Sequence, residues 1–316
     1  MTRDRNALVT RPAALPVVLG AAVLGVSISG PLARLSAAEP LAIAVWRVAL
    51  ALVVVGAILA TTGAWREWRA LSRRDLGVAL GAGFLLAIHF WSWIASLEYT
   101  SVAASVVLVN LHPVVVVAGS ALWLGERPTR TQLVGIAIAL VGAAIIGVAD
   151  AGWPDAASPD AALPGAASVS ALFGNALAVL GALTVGLYYL AGRSLRQRLT
   201  LWPYVGLVYG ACLMSLLGFA AVQGTPLGGF PAREWAIFAG IALGPMLVGH
   251  TGMNWAVRYV PAYVVSLALL AEPVGAAVLA ALIPAIGEIP SPGVIIGGAV
   301  VLAGLVLGVR TKAGAS

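Results

Sequence analysis

Residues 99–146 read YTSVAASVVLVNLHPVVVVAGSALWLGERPTRTQLVGIAIALVGAAII, and a version of this stretch recurs at residues 259–307 as YVPAYVVSLALLAEPVGAAVLAALIPAIGEIPSPGVIIGGAVVLAGLVL. Each copy places an ionisable residue directly before a proline, at His112–Pro113 and at Glu272–Pro273. Each copy then reaches a Gly-Glu-x-Pro turn and a glycine-rich segment. The fold is therefore predicted to contain two copies of one unit.

The composition predicts a membrane protein. Of the 316 residues, 61% are hydrophobic and 9% are charged, and the mean hydropathy of +1.00 lies far above that of a soluble domain. A helix that spans a bilayer needs about 20 mostly apolar residues. Such runs predict about ten spans, at residues 13–32, 40–60, 76–98, 101–123, 131–149, 170–191, 203–222, 234–256, 261–283 and 291–309. The predicted fold class is an all-α polytopic membrane protein.

The two copies are predicted to enter the membrane from opposite sides, because each half has five segments and five is an odd number. Tyr99 matches Tyr259 at a separation of 160 residues, and Gly135 matches Gly297 at 162, since the second copy contains two extra residues. Inverted repeats are a common construction of secondary transporters, which bind their substrate near the bilayer midplane.

The division of the chain follows from this repeat. The segment between the halves is rich in Ala, Pro, Ser and Gly and contains three aspartates, which is typical of a flexible external linker. The predicted parts are a cytoplasmic tail at 1–12, a first five-helix repeat at 13–149, an external linker at 150–168, a second five-helix repeat at 169–310 and a cytoplasmic tail at 311–316.

The positions of the cations predict the orientation. With the N-terminus inside, nearly all arginines and lysines at segment ends fall on the cytoplasmic side, and only Arg34 and Arg233 fall outside. The positive-inside rule therefore predicts a multi-pass protein of the cytoplasmic (inner) membrane with both termini cytoplasmic. The net charge of +6 reflects this topology, and no basic stripe interleaved with aromatics indicates a nucleic-acid partner.

The two halves resemble the signature blocks of the EamA-type drug/metabolite transporters. The shared features are the Gly-Glu-x-Pro turns at residues 125–128 and 287–290, the glycine-rich helix after each turn, and Arg47 in the second segment. The resemblance covers nearly the whole chain. It implies a ten-helix secondary carrier of a prokaryotic inner membrane that mostly exports amino acids, other metabolites or drugs. His112 departs from the family pattern, in which a small hydroxyl or an apolar residue is more frequent. The glutamate of each turn is expected to cap the helix that follows.

Four ionisable residues within predicted spans are the main candidates for a substrate or proton site. A charged side chain at the centre of a membrane helix costs at least about 2.5 to 3.5 kcal/mol, so such residues mark function by default. The candidates are His89, His112, His250 and Glu272. The repeat pairs His112 with Glu272 and carries His89 to position 249, so all four are predicted to lie at one depth. The alternative for each histidine is a hydrogen bond to a neighbouring helix.

Further candidates flank these four residues. Pro113 and Pro273 each remove a backbone donor and predict kinks in helices four and nine, where freed carbonyls can line a cavity. Arg47 is expected either to pair with Glu39 or Glu98 near the external surface or to clamp a substrate carboxylate.

An aromatic wall is predicted from the residues Trp91, Trp93, Tyr188, Tyr189 and Trp255. Trp93 and Tyr188 are the predicted substrate contacts, and Asn254 is a predicted polar contact. The alternative is that rings near helix ends anchor the protein at the membrane interface.

The predicted function is a secondary active transporter, an exporter of a small organic solute, which works by alternating access with or without proton coupling. The chain is not predicted to be an enzyme, because it has neither a Walker motif nor His-Glu-x-x-His. A lone Cys212 offers no cysteine metal site, so no metal or cofactor is predicted. The alternatives are a channel, a non-transporting receptor, or an intramembrane metal or haem enzyme built on the histidines. The lipid bilayer is the expected surrounding, and the chain is predicted to be a monomer or homodimer.

Overall fold

A computed structural model describes residues 12–124, 129–151, 166–196, 198–256, 258–259, 268–269 and 271–309. These residues form helices and turns, without a strand among them. The helices of the first half are α1 (Leu15–Ser27), α2 (Ser29–Arg34), α3 (Pro40–Thr62), a 3-10 turn (Ala64–Ala70), α4 (Arg73–Ser96), α5 (Val102–Val109), α6 (His112–Leu124) and α7 (Arg130–Ala151). Those of the second half are α8 (Ala166–Arg196), α9 (Leu201–Gln223), α10 (Ala232–Ile241), a π-helical segment (Ala242–His250), α11 (Thr251–Ala256), α12 (Glu272–Leu282) and α13 (Pro292–Val309).

The described helices are long and apolar enough to cross a membrane many times. Seven stretches qualify by length and hydropathy, at Leu15–Arg34, Pro40–Thr62, Arg73–Ser96, Val102–Gly119, Val169–Gly192, Leu201–Gln223 and Ala232–Ala256. Three shorter apolar helices accompany them, at Arg130–Ile146, Glu272–Leu282 and Pro292–Leu307. The all-helical polytopic fold class follows, and the predicted count of ten spans stays a prediction.

Local sequence sets where several of these helices begin and end. Pro40 occupies the first turn of α3, and Gly63 ends that helix with a left-handed φ of 70°. Gly224 ends α9 in the same way, with a φ of 71°. Glycine adopts this conformation without a steric penalty. Ser72 and Asp75 open α4 with reciprocal side-chain to backbone hydrogen bonds of 3.1 Å.

The contacts between helices repeat with the two halves of the chain. In the repeat, α1 corresponds to α8, α3 to α9, and α4 to the segment that contains the π-helical turn. The contact of α1 with the π-helical segment therefore matches that of α8 with α4, and the contact of α3 with the π-helical segment matches that of α9 with α4. α12 contacts α1 as α5 and α6 contact α8. Three pairs join a helix to its own counterpart, namely α3 with α9, α5 with α12 and α7 with α13. This is the pattern of two copies related by a pseudo-two-fold axis.

α7 and α13 meet through glycines. A β-carbon added to Gly142 would lie 2.6 Å from the backbone nitrogen of Val301, and one added to Gly304 would lie 2.5 Å from that of Ala139. Small residues let the backbones of membrane helices approach closely. The glycines of the repeat therefore mediate packing within the chain.

Each rim of the bundle is held by an acidic residue near the start of a helix. On one rim, Arg198 Nη1 donates to both carboxylate oxygens of Asp75 in α4, at 2.9 and 3.1 Å. On the opposite rim, Glu234 in α10 accepts the backbone N–H of Ala37 at 3.1 Å and also contacts the Ser36 hydroxyl. α4 and α10 begin equivalent segments of the two halves. Each half therefore binds a loop of the other half, namely the α8–α9 loop at Asp75 and the α2–α3 loop at Glu234.

The turn before α13 corrects the predicted role of its glutamate. Gly287 has a left-handed φ of 59°, and Ser291 Oγ accepts a backbone N–H in the first turn of α13 at 3.2 Å. Glu288 instead accepts the backbone N–H of Val102 at the start of α5, at 2.8 Å. Its other oxygen lies 2.7 Å from Nε of Arg34. Glu288 therefore joins α5 and α2 of the first half to the second half, while its counterpart Glu126 lies outside the described residues.

Candidate functional site

A small cavity lies where the two halves meet, and its volume is about 50 Å³. The cavity is lined by the ionisable candidates His89, His112, His250 and Glu272. Its lining also includes the polar residues Ser29 and Asn110 and the rings of Trp93 and Tyr189. Three of these eight residues were not predicted as site residues, namely Ser29, Asn110 and Tyr189. Both halves contribute to the lining, so the cavity belongs to their interface.

The size of the cavity limits what it can hold. Pockets for small organic ligands usually measure about 300 to 1,000 Å³, whereas one buried water needs about 10 to 15 Å³. A cavity of about 50 Å³ therefore has room for a few water molecules. A solute of metabolite size fits only after the surrounding helices separate.

His89 is fixed in orientation by α8. Its Nδ1 lies 2.9 Å from the carbonyl oxygen of Gly181, and the residue is 6% exposed. A carbonyl oxygen only accepts hydrogen bonds, so Nδ1 carries the proton and Nε2 of the neutral ring is an acceptor. The ring is parallel to that of Trp93 within 9°, with centroids 6.4 Å apart. The His250 ring lies 6.3 Å away, centroid to centroid.

His250 reaches the cavity from the last position of the π-helical segment. Pro245 lies inside this segment and lacks the backbone donor that an α-helical turn requires. The Thr251 hydroxyl donates to the carbonyl of Met246 at 3.1 Å, five residues earlier. A π turn holds more residues than an α turn. The last residue of this wider turn is His250, which lines the cavity.

Glu272 begins α12 and is half-buried. Its Oε2 accepts a hydrogen bond of 3.3 Å from Nδ2 of Asn110, which also donates to the carbonyl of Val106 at 2.9 Å. Asn110 is 2% exposed and lies between α5 and α6. The carboxylate is therefore oriented by the equivalent segment of the other half.

The two prolines stand in the first turns of new helices. Pro113 follows an interruption at Asn110 and Leu111, between α5 and α6, and Pro273 is the second residue of α12. Proline is tolerated in a first helical turn, because the missing N–H would have no partner there. The predicted kink of helix four is thus an interruption of the helix, and the stretch before Ala271 includes residues outside the described ranges.

Arg47 lies deep in the bundle and outside the cavity lining. It is 1% exposed, and its guanidinium carbon lies 4.0 Å from the ring centre of Phe90 and 5.9 Å from that of Trp93. Neither Glu39 nor Glu98 forms an ion pair with it in the described part of the chain. The expected surface pairing is therefore replaced by stacking on aromatic rings.

Tyr188 and Asn254 form a layer beside the cavity instead of lining it. Asn254 Nδ2 lies 3.3 Å from the Tyr188 hydroxyl, and Arg196 Nη2 donates to the Asn254 carbonyl at 2.9 Å. The neighbouring ring of Tyr189 faces the cavity, with its centre 5.6 Å from that of His112. In α8, the residue that lines the cavity is therefore Tyr189 and not the predicted Tyr188.

Sequence reasoning missed two polar residues of the cavity, Ser29 and Asn110. Asn110 stands two residues before His112, so a scan for uncharged polar residues beside the ionisable ones would have found it. Ser29 has no ionisable candidate near it in the sequence, so such a scan would have missed it. Among the described residues, no group of three His, Cys, Asp or Glu side chains is placed to hold a metal ion. One carboxylate and three imidazoles line the cavity, and such groups can take up and release protons.

The fold and the cavity define a helical, multi-pass membrane protein made of two related halves with a polar site between them. A model of the EamA-like transporter family matches residues 13–148 and 172–310. The chain belongs to this family, which the two-copy contact pattern and the glycine-rich helix pair also fit.

The comparison with solved structures supports the fold. One crystal structure covers 93% of this chain and 96% of its own chain, with a TM-score of 0.62 at 18% sequence identity. At this identity the likeness concerns the fold alone. No curated protein matches the chain.

Proposed function

We propose that the protein is a secondary active transporter that exports a small organic solute, such as an amino acid, another metabolite or a drug, by alternating access. The observation that carries this proposal is the cavity lined by Glu272 and three histidines from both halves. In transporters built from two repeats, the substrate site lies at the repeat interface and is exposed to either side as the halves rock. The small volume of the cavity fits a state in which the site is not widely open to either side.

Proton coupling is part of the proposal. Glu272 receives one hydrogen bond from Asn110 in the described structure and otherwise faces the cavity with His112 and His250. A proton bound at this cluster would change its charge at the place where the solute binds. Occupancy by a proton and by the solute would therefore influence each other.

The proposed location is the cytoplasmic membrane, with both termini inside and the bilayer as solvent. The rim that holds Arg198 also carries a group of arginines, namely Arg66, Arg69, Arg73 and Arg74. The opposite rim carries Arg34 and Arg233. Cytoplasmic loops are enriched in Lys and Arg, so the arginine-rich rim is proposed to face the cytoplasm. The protein is further proposed to be a monomer or a homodimer and to have no nucleic-acid partner.

The test begins with ligand discovery. Thermal stabilisation of the purified protein by amino acids, nucleobases and cationic drugs is measured at about pH 6 and about pH 8, on either side of the histidine range. Each hit is then tested for counterflow in proteoliposomes, for wild type, Glu272→Gln and the control Glu39→Gln, whose carboxylate lies outside the cavity lining. We expect saturable, pH-dependent flux that Glu272→Gln loses and Glu39→Gln keeps. Binding without flux would indicate a receptor, and flux that does not saturate would indicate a channel.

A further inference from the structure

Buried hydrogen-bond donors without partners gather beside the cavity. Within the described residues, Nε and Nη1 of Arg47 and Nε1 of Trp93 are shielded from solvent and have no hydrogen-bond partner. The remaining nitrogen of Arg47, Nη2, contacts the sulfur of Met246 at 4.0 Å, and a thioether is a weak acceptor. Ser29 Oγ, in the cavity lining, is also without a partner. This region therefore has a surplus of donors.

These donors are close to one another. The guanidinium carbon of Arg47 lies 4.0 Å from the ring centre of Phe90 and 5.9 Å from that of Trp93. Trp93 lies in α4 and forms part of the cavity wall. The guanidinium is therefore behind this ring, one side chain away from the cavity.

A full positive charge in this position is costly without an acceptor. The penalty for burying a charge is offset only when hydrogen bonds and an opposite charge surround it. Stacking on a ring offsets only part of this penalty and leaves the N–H groups unsatisfied. A residue that fulfilled only a packing role would be better replaced by an apolar one. The Arg47 guanidinium therefore has the free donors of a group that binds an anionic ligand.

We propose that Arg47, assisted by the indole N–H of Trp93, binds the carboxylate of the transported solute. A carboxylate only accepts hydrogen bonds, carries one negative charge and offers two oxygens, which match one guanidinium and an additional neutral donor. This inference names the substrate class of the proposed transporter and rests on that function. Its substrates are organic acids or zwitterions with a free carboxylate.

Trp93 controls access to Arg47. Its ring is parallel to His89 with a centroid separation of 6.4 Å, and the ring of Phe90 lies 5.3 Å from that of His250. Because Trp93 lines the cavity and Arg47 does not, a carboxylate in the cavity reaches the guanidinium only when the Trp93 ring moves.

The experiment compares acids with their neutral amides. The melting temperature of the purified wild-type protein is measured with acetate and acetamide, with benzoate and benzamide, and with chloride, at equal ionic strength and one pH. The variants are Arg47→Met and the control Arg34→Met, which removes an arginine that has an ion-pair partner in Glu288. We expect the acids to raise the melting temperature of wild type and the amides to leave it unchanged.

The two variants are expected to respond in opposite ways. Arg47→Met removes a buried charge that has no ion pair within 4 Å in the described part of the chain. Its ligand-free melting temperature should therefore rise, and its apparent Kd for the acids should increase about tenfold or more, as expected when a charge-assisted hydrogen bond is lost. Arg34→Met should melt lower and keep its response to the acids.

Several results would overturn the proposal. Equal stabilisation of wild type by acids and amides would do so even if Arg47→Met fails to fold, and equal stabilisation by chloride and the acids would assign Arg47 to an inorganic anion. A lower melting temperature of Arg47→Met with an unchanged response to acids would make the residue structural. Acid binding without flux would refute transport and leave the carboxylate site standing. Saturable flux restricted to solutes without a carboxylate would support transport and refute the carboxylate site.

Discussion

The glycine contact between α7 and α13 gives the sharpest prediction for stability. A β-carbon in Gly142→Ala would lie 2.6 Å from the backbone nitrogen of Val301 and 2.7 Å from the carbonyl oxygen of Gly297, while ordinary contact begins at 3.4 Å. The helices would have to separate by about 0.8 Å (3.4 minus 2.6), because backbone atoms cannot turn aside as a flexible side chain can. Overpacking of this kind costs about 1 to 3 kcal/mol.

The matched control is Gly56→Ala in α3. A β-carbon at Gly56 has nothing within 4 Å, so the substitution keeps only the gain in helix propensity of up to about 1 kcal/mol. Because Gly142→Ala has the same gain, its net loss is about 0 to 3 kcal/mol, and the two variants should differ by the full overpacking cost of about 1 to 3 kcal/mol.

Both variants are measured by unfolding in mixed detergent micelles, followed by circular dichroism. Gly142→Ala should unfold at a lower denaturant fraction than Gly56→Ala, and Gly56→Ala should equal or exceed wild type. If Gly142→Ala proved as stable as Gly56→Ala, the close approach of α7 and α13 would not exist in the folded protein.

Three more predictions concern single contacts at the rim and near the cavity. The pair Arg34 and Glu288 is partly exposed, so a double-mutant cycle with glutamine at both positions should give a coupling of about 0.5 to 1 kcal/mol, and a coupling of zero would contradict the described contact. Asn110→Ala removes the donor to Glu272 and should move the pH at which solute flux is half-maximal; an unchanged pH profile would exclude an orienting role. Pro245→Ala restores a backbone donor to the π-helical segment and should weaken solute binding while raising the melting temperature, and unchanged binding would separate this segment from the site.

The repeat made much of the fold and part of the site predictable. The separation of 160 residues pairs His112 with Glu272, and in the structure both line one cavity together with His89 and His250. The reason is physical, because an ionisable residue in an apolar run must avoid lipid and so points to the interior. Equivalent positions of two symmetric halves then lie around one axis.

Other features depend on contacts between segments far apart in the chain, which one sequence does not display. The sequence predicts either a surface carboxylate or a substrate carboxylate as the partner of Arg47, and it does not predict the contact with the rings of α4, whose position depends on helix packing. Glu288 caps α5 instead of its own helix, since the chain folds Val102 close to it. Tyr189 rather than Tyr188 faces the cavity, because a difference of one residue turns a helical side chain by about 100°.

Whether His250 lines the cavity depends on the π-helical winding of the segment that it ends. Each α-helical residue advances about 100° around the axis and about 1.5 Å along it. If one residue between Ala242 and His250 returned to α-helical winding, the histidine would swing by about a quarter turn away from the cavity, with every covalent bond intact. The number of imidazoles that line the cavity therefore depends on the hydrogen-bond register of this segment: it is three with the π-helical winding described and would be two after such a change.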